Sequence, residues 1–281
     1  MKELQFTKMH GLGNDFILVD GVVTKLPRLR WSDFAVRICR RSTAVGADGL
    51  ILILPSRKAD FRMRIFNSDG SEAEMCGNGF RCMIRYLRDK CYTSRDSIPV
   101  QTLAGRITGE IIKSAKSDYQ VKVAMGRPEF RAEKIPVKTS KPEVIGSKLK
   151  AGSDSYIVTA VSMGNPHVVL FMDSLKIDWR SLGAKLEHHH LFPERANVEF
   201  VRIINRRKIE MISWERGAGP TMASGTGACA AVAAGIRTGQ LDYKVGVDFK
   251  LGSLIVEYNK NEDMIYKTGP AEYCFSGTYY Y

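Results

Sequence analysis

Two short motifs carry residue types suited to moving a proton. They are Cys76-Gly77-Asn78-Gly79 and Ser224-Gly225-Thr226-Gly227. Each stands just before a segment patterned as a helix. Glycines on both sides of Asn78 and Thr226 let backbone N–H groups point outward at a helix N-terminus. That arrangement binds anions, carboxylates included. A thiol placed there is drawn below its ordinary pKa of about 8.5, toward 7 or lower. Such a group takes a proton and hands it back near neutral pH. Cys76 also admits a plainer reading, as a small buried residue beside a tight turn. The equivalent position of Ser224 argues for paired roles.

The motifs sit inside a larger pattern that occurs twice. Met9-His10-Gly11-Leu12-Gly13-Asn14-Asp15-Phe16 leads into Ile17-Leu18-Val19-Asp20, and Val161-Ser162-Met163-Gly164-Asn165-Pro166-His167 leads into Val168-Val169-Leu170-Phe171. Both read as a strand, a Gly-Asn turn and a second strand. Further on, the alternating segments 61–66 and 209–214 read as strands that lead to the two glycine-rich motifs. Corresponding positions lie roughly 150 residues apart. The pattern predicts an α+β fold of two pseudo-symmetric halves. Each half is a mainly antiparallel sheet wrapped around a central helix, with the active site in the cleft between them. The first half spans 1–118 and is completed by a C-terminal strand over 270–281; the second spans 119–269. The polar segment 113–118 reads as a linker. Helices are predicted over 33–40, 79–90 and 227–236, the last almost wholly apolar and therefore central.

Composition narrows the function classes. The 281 residues suit two domains of about 140. With 44% apolar and 26% charged residues, the chain can bury a core, which excludes disorder. No apolar run approaches the ~18 residues of a membrane span. The N-terminal Met1-Lys2-Glu3-Leu4-Gln5-Phe6 lacks the features of a signal peptide, so a cytoplasmic location is expected. Lys and Arg number 42 against 30 Asp and Glu, a net charge of +12. The excess is scattered in short clusters at 37–41, 81–90 and 202–208, without interleaved aromatics. A nucleic-acid partner is therefore not expected. The six cysteines form no C-x-x-C pair. His188-His189-His190 cannot converge on one metal from a single helix and reads as a solvated loop or helix end. Gly11-Leu12-Gly13 lacks the third glycine and the helix of a dinucleotide site.

The stretches FTKMHGLGNDFILVD, VGADGLILI, RIFNSDGSEAEMCGNGFRC, AVSMGNPHVV, LFPERANVEFV and WERGAGPTMASGTGACAAVAAG together resemble the diaminopimelate epimerase family along almost the whole chain. The resemblance implies inversion of one α-carbon, LL- to meso-diaminopimelate, in lysine and peptidoglycan precursor biosynthesis. It implies no pyridoxal phosphate, no metal and a homodimer. In the family one cysteine removes the α-proton as thiolate and a second, on the opposite face, returns one as thiol. Carried over by position, the resemblance assigns Cys76 as one acid/base and Ser224 to the place of the other. It implies substrate hydrogen bonds from Asn14, Asn67, Asn165, Asn197 and the Glu215-Arg216 pair. The backbones of Gly77-Asn78 and Gly225-Thr226 would bind the reacting α-carboxylate and α-amino group, while His167 and Glu215 would tune the acid/base pair. Amides serve both charged ends of a zwitterion, and Arg216 suits a distal carboxylate. Donors at the α-carboxylate also stabilise the enediolate-like charge that follows proton loss.

The departure from the family lies at Ala223-Ser224-Gly225-Thr226-Gly227, where the usual context is A-C-G-T-G. A serine hydroxyl is scarcely ionised near neutral pH. Cys229 lies inside the following helix and is expected to point elsewhere. With one thiol, a proton leaves and returns on the same face, giving exchange without inversion. With a β-leaving group the outcome is elimination, as in dehydratases related to proline racemase. The expectation is a chain that binds diaminopimelate but epimerises slowly or one-sidedly. The alternatives are another amino-acid racemase or dehydratase on the same fold, or a non-catalytic amino-acid-binding homologue. Gly49 stands where some members carry a substrate-reaching glutamine, so that contact is expected to be missing.

Overall fold

The computed structural model describes residues 2–115 and 118–281. The chain divides into two compact units, Met1–Val123 with Gly269–Tyr281, and Ala124–Thr268.

The first unit opens with strands β1 (Glu3–Gly11) and β2 (Asn14–Asp20), followed by helix α1 (Trp31–Ile38). Strands β3 (Gly49–Pro55), β4 (Phe61–Asn67) and the short β5 (Glu72–Ala73) lead into α2 (Gly77–Asp89). Strands β6 (Ser97–Thr102), β7 (Gly105–Ala115) and β8 (Asp118–Gly126) follow. The β1–β2 hairpin turns on Leu12 and Gly13, whose φ values of 57° and 82° are both positive. A two-residue turn with that geometry matches the twist of the strands it joins. Leucine rarely adopts it, and burial of the Leu12 side chain holds it there. The turn delivers Asn14 to the head of β2. In β4 the alternation is visible residue by residue: Phe61, Met63 and Ile65 are buried, while Arg62 and Arg64 are half-buried on the other face. Strand β2 runs parallel to β3, β3 antiparallel to β4, and β4 parallel to β6. Phe34 and Ile38 of α1 pack with Ile17, Leu50, Leu52 and Phe66 in the core. Each such side chain contributes roughly 1.5–3 kcal/mol when fully buried.

The second unit repeats this order. Strands β9 (Ser147–Ala151), β10 (Asp154–Ser162) and β11 (Pro166–Phe171) precede α3 (Trp179–Glu187). Strands β12 (Asn197–Asn205), β13 (Lys208–Glu215) and β14 (Gly219–Thr221) lead into α4 (Gly225–Arg237). Strands β15 (Lys244–Phe249), β16 (Gly252–Asn259) and β17 (Met264–Pro270) complete the series. The pairings correspond one for one. Strands β10 and β11 form the hairpin, β11 is parallel to β12, β12 antiparallel to β13, and β13 parallel to β15. Helix α4 is buried from Gly227 to Gly235, as its apolar sequence predicts. Its counterpart α2 is buried from Gly77 to Leu87. The last strand, β18 (Glu272–Tyr280), pairs antiparallel with β1, from Glu3 against Tyr280 to His10 against Glu272.

Two local expectations need correction. Residues 113–115 end β7 and Asp118 begins β8, with Ala115 opposite Asp118 and Lys113 Nζ 2.8 Å from Asp118 Oδ2. The polar segment is thus the end of a ladder; exposed strand ends resemble a linker in composition. Residues 116 and 117 of that segment lie outside the described residues. Helix α3 was not among the expected helices. Its Asp178 cap accepts the Ser181 N–H at 3.2 Å, a local signal in the sequence that its sparse apolar content obscured. Helix α3 ends at Glu187, so the three histidines begin at its C-cap. Among the described residues no cluster of three metal-ligating side chains occurs, and no helix is long and apolar enough to cross a membrane.

Candidate active site

In the first unit, Cys76 is the N-cap residue of α2. Its backbone is extended (φ −135°, ψ 116°), and its side chain makes no capping hydrogen bond. The first-turn N–H groups of α2 are therefore not spent on their own cap. The half-buried thiol lies 3.8 Å from Asn14 Oδ1. That oxygen also accepts from Asn78 Nδ2 at 3.1 Å. Asn14 Nδ2 in turn donates to Asp48 Oδ2 at 2.7 Å. Asp48 is held by Arg41 at 2.6 Å, and Arg41 also reaches Asp15 at 2.8 Å. Burial pushes the Asp15 carboxyl up, but hydrogen bonds from Arg41 and Lys8 outweigh it and hold the group below the usual carboxylate range. Asn67, exposed at the end of β4, donates instead to Ser71 Oγ at 2.9 Å. Gly49 lies opposite Asn67 in the β3–β4 ladder, and a Cβ there would stand 2.8 Å from the Phe66 carbonyl oxygen. The close strand approach leaves no room for a side chain at 49.

In the second unit, Ser224 is the N-cap of α4, with nearly the same backbone as Cys76 (φ −109°, ψ 120°). Its surroundings differ. The Ser224 hydroxyl accepts the Gly227 N–H at 3.2 Å and lies beside the Glu215 carboxyl. Ser224 is 2% exposed. Burial pushes the Glu215 carboxyl up and the charge of Glu199 adds to the push. Hydroxyls of Ser224 and Thr221 and the charge of His167 oppose it, and the net direction is upward. His167 is fully buried, with Nδ1 2.8 Å from Glu199 Oε1 and Nε2 2.9 Å from Asn165 Oδ1. The parallel pairing of β11 with β12 sets His167 opposite Asn197. Asn197 is buried and engaged at both ends, donating to the Pro166 carbonyl at 2.8 Å and accepting the Arg216 N–H at 3.0 Å. It thereby fixes the backbone at Arg216, whose exposed guanidinium donates to the Glu194 carbonyl at 3.0 Å. Gly225 and Thr226 form the first turn of α4, half-buried.

Glu199 is the residue that motif reasoning missed. It lies inside the stretch LFPERANVEFV but belongs to no recognisable catalytic pattern. The available signal was a carboxylate at an otherwise apolar strand position, two residues after Asn197 and so on the same face of β12. It is wholly buried, and a Cβ at Gly227 would stand 2.5 Å from its Oε1. Only glycine lets this carboxylate pack against the first turn of α4, where the helix dipole favours a negative charge. The N-terminus of α4 is therefore engaged from within by Ser224 and Glu199, whereas that of α2 carries an N-cap thiol that makes no capping hydrogen bond. Glu199→Ala is expected to cost about 1–3 kcal/mol of stability, because it leaves the buried His167 Nδ1 without its hydrogen-bond partner. Urea denaturation measures this; a cost below 1 kcal/mol would show that the pair contributes little.

The family model described as diaminopimelate epimerase matches residues 6–131 and 159–274. A diaminopimelate epimerase of Halothermothrix orenii is 48% identical over 280 residues, covering 98% of this chain and 97% of the relative. One from Desulfitobacterium hafniense is 45% identical over 278 residues, with coverage of 98% and 97%. Among solved structures, a phenazine biosynthesis protein of the PhzF family from Bacillus anthracis aligns with a TM-score of 0.71, 18% identity and full coverage of both chains. A hydroxyproline epimerase from Agrobacterium vitis aligns with a TM-score of 0.71, 14% identity, and coverage of 99% of this chain and 91% of that one. At these identities the structural likeness speaks for the fold alone.

Proposed function

The chain belongs to the diaminopimelate epimerase family, and from that premise we propose that it interconverts LL- and meso-diaminopimelate without a cofactor, for lysine and peptidoglycan precursor synthesis. The observation that carries the site assignment is the placement of Cys76 and Ser224 at equivalent N-cap positions of α2 and α4. Cys76, as thiolate, takes the α-proton. The C–H electron pair passes into the α-carboxylate as an enediolate, and N–H groups of a helix first turn stabilise that charge. A proton delivered from the opposite face completes inversion, and Ser224 occupies the position that must deliver it. A hydroxyl donates more reluctantly than a thiol, so this half-reaction limits turnover. Asn14, Asn67, Asn165, Asn197, Glu215 and Arg216, with the backbones of Gly77, Asn78, Gly225 and Thr226, are assigned to the substrate. His167 and Glu215 are assigned to the acid/base pair.

This reading favours an epimerase over a dehydratase or a binding protein, because the four asparagines and the Glu215-Arg216 pair that the resemblance assigns to the substrate are all present, Gly49 being the exception. Following LL-diaminopimelate to the meso isomer by chiral chromatography tests it. Calorimetric binding with no α-proton exchange would overturn it in favour of a non-catalytic binder.

We also propose a cytoplasmic homodimer. Six free cysteines suit a reducing compartment. Strand β18 exposes Tyr273, Phe275 and Tyr280 at 38%, 50% and 59%, large apolar side chains of the kind that contact surfaces cover. Tyr280→Asp is expected to shift the sedimentation of a wild-type dimer toward the monomer. A wild-type monomer, or a dimer indifferent to the change, would overturn the assignment.

A further inference from the structure

The side chains behind Cys76 form a hydrogen-bonded series, and its two ends fix its direction. At one end stands the Asp48 carboxylate, which only accepts; Arg41 holds it at 2.6 Å, and its Oδ2 takes both Asn14 Nδ2 (2.7 Å) and the Asp15 N–H (3.0 Å). At the other end stands the Arg81 guanidinium, which only donates. It is fully buried, its Nη1 donating to Asn78 Oδ1 at 2.9 Å and its Nε to the Pro270 carbonyl at 3.0 Å. Between them lie two amides, either of which could in principle turn over. Reversing Asn14 would set its carbonyl against the Asp48 carboxylate. Reversing Asn78 would set its NH2 against the Arg81 guanidinium. Turning both together incurs both clashes. Only one orientation satisfies the series, with Asn78 Nδ2 donating to Asn14 Oδ1 at 3.1 Å. Asn14 therefore presents an acceptor, never a donor, to the thiol 3.8 Å away.

We propose that Asp48 and Arg81 are positioning residues which, through Asn14 and Asn78, lock a hydrogen-bond acceptor against Cys76 in the free protein, a contact that favours its thiol over its thiolate. The functional importance of this rests on the assignment of Cys76 as an acid/base; the polarity itself does not. An NH2 group in the same place would stabilise the thiolate instead. The polarity of a distant ion pair is thus converted into the hydrogen-bonding state of the sulfur.

Asp48→Asn tests this, because an asparagine at 48 can donate or accept and so releases Asn14 to turn. Wild type and variant are treated with iodoacetamide at pH 7.5, and alkylation is read peptide by peptide by mass spectrometry. The exposed Cys91 serves as the internal reference. The expected result is that Cys76 alkylates about threefold faster or more in the variant, since thiolate is the reacting form, while Cys91 keeps its rate. An unchanged Cys76 rate in a folded variant would overturn the proposal. Should the variant fail to fold, a neutron structure of the wild-type chain decides. Deuterons of Asn14 on the Asp48 side support the proposal, and deuterons facing Cys76 overturn it. Failure of the acid/base assignment is distinguishable, because it appears as epimerisation that survives Cys76→Ser whatever the alkylation result.

Discussion

Ser224→Cys is expected to raise the rate of diaminopimelate inversion by about 10²- to 10⁴-fold, the range that a well-matched general acid or base contributes. The Ser224 hydroxyl accepts the Gly227 N–H as the cap of α4 and neighbours the Glu215 carboxyl. The cap serves the structure of α4 more than proton delivery. A thiol at the same N-cap is a more willing acid but a weaker cap. The gain in rate should therefore be accompanied by a loss of about 1 kcal/mol in stability, the usual effect of removing a serine cap. Turnover measured by chiral chromatography and stability measured by urea denaturation check the two halves of this prediction. A faster enzyme with unaltered stability would mean that the cap is unimportant. An unaltered rate would mean that the serine is no handicap.

Cys76→Ser is the second large effect. It is expected to reduce both inversion and α-proton exchange by about 10²- to 10⁴-fold, with little change in fold. The side chain is half-buried, makes no cap, and has the Asn14 carbonyl oxygen as its hydrogen-bond acceptor. Serine supplies the same hydrogen bond. Combining Cys76→Ser with Ser224→Cys moves the single thiol to the other position. That double variant is expected to exchange the stereoisomer that the starting chain exchanges poorly. Deuterium incorporation followed by NMR reads both results, and a double variant with the original preference would contradict the assignment of faces.

Much of this was legible in the sequence because the chain states its pattern twice. The Gly-Asn turns and the glycine-rich helix starts required special backbone, and special backbone leaves a readable trace. Alternation in β4 and the apolar sequence of α4 predicted what faces inward. What was not legible depends on register. Glu199 acquires its meaning only when β11 pairs in parallel with β12 and β12 antiparallel with β13. That pairing carries Glu199 beneath Gly227 and beside His167. Asp48 and Arg81 lie within the stretches that resemble the family, yet their roles follow from what they touch. The engagement of Asn197 with backbone at both ends was equally invisible, because an amide looks the same in sequence whether it faces a ligand or a carbonyl. Polar strand ends around Lys113 and Asp118 misled for the converse reason, since exposure gives strands and linkers similar compositions.

The central claim is that this chain moves protons with one competent thiol. Incubating LL- and meso-diaminopimelate separately in D2O, with Ser224 verified by mass spectrometry of the protein used, tests it most directly. One stereoisomer is expected to gain α-deuterium faster than it inverts, because the proton leaves and returns through Cys76 on a single face. Equally fast inversion of both stereoisomers, each at the rate of its own deuterium uptake, would contradict it.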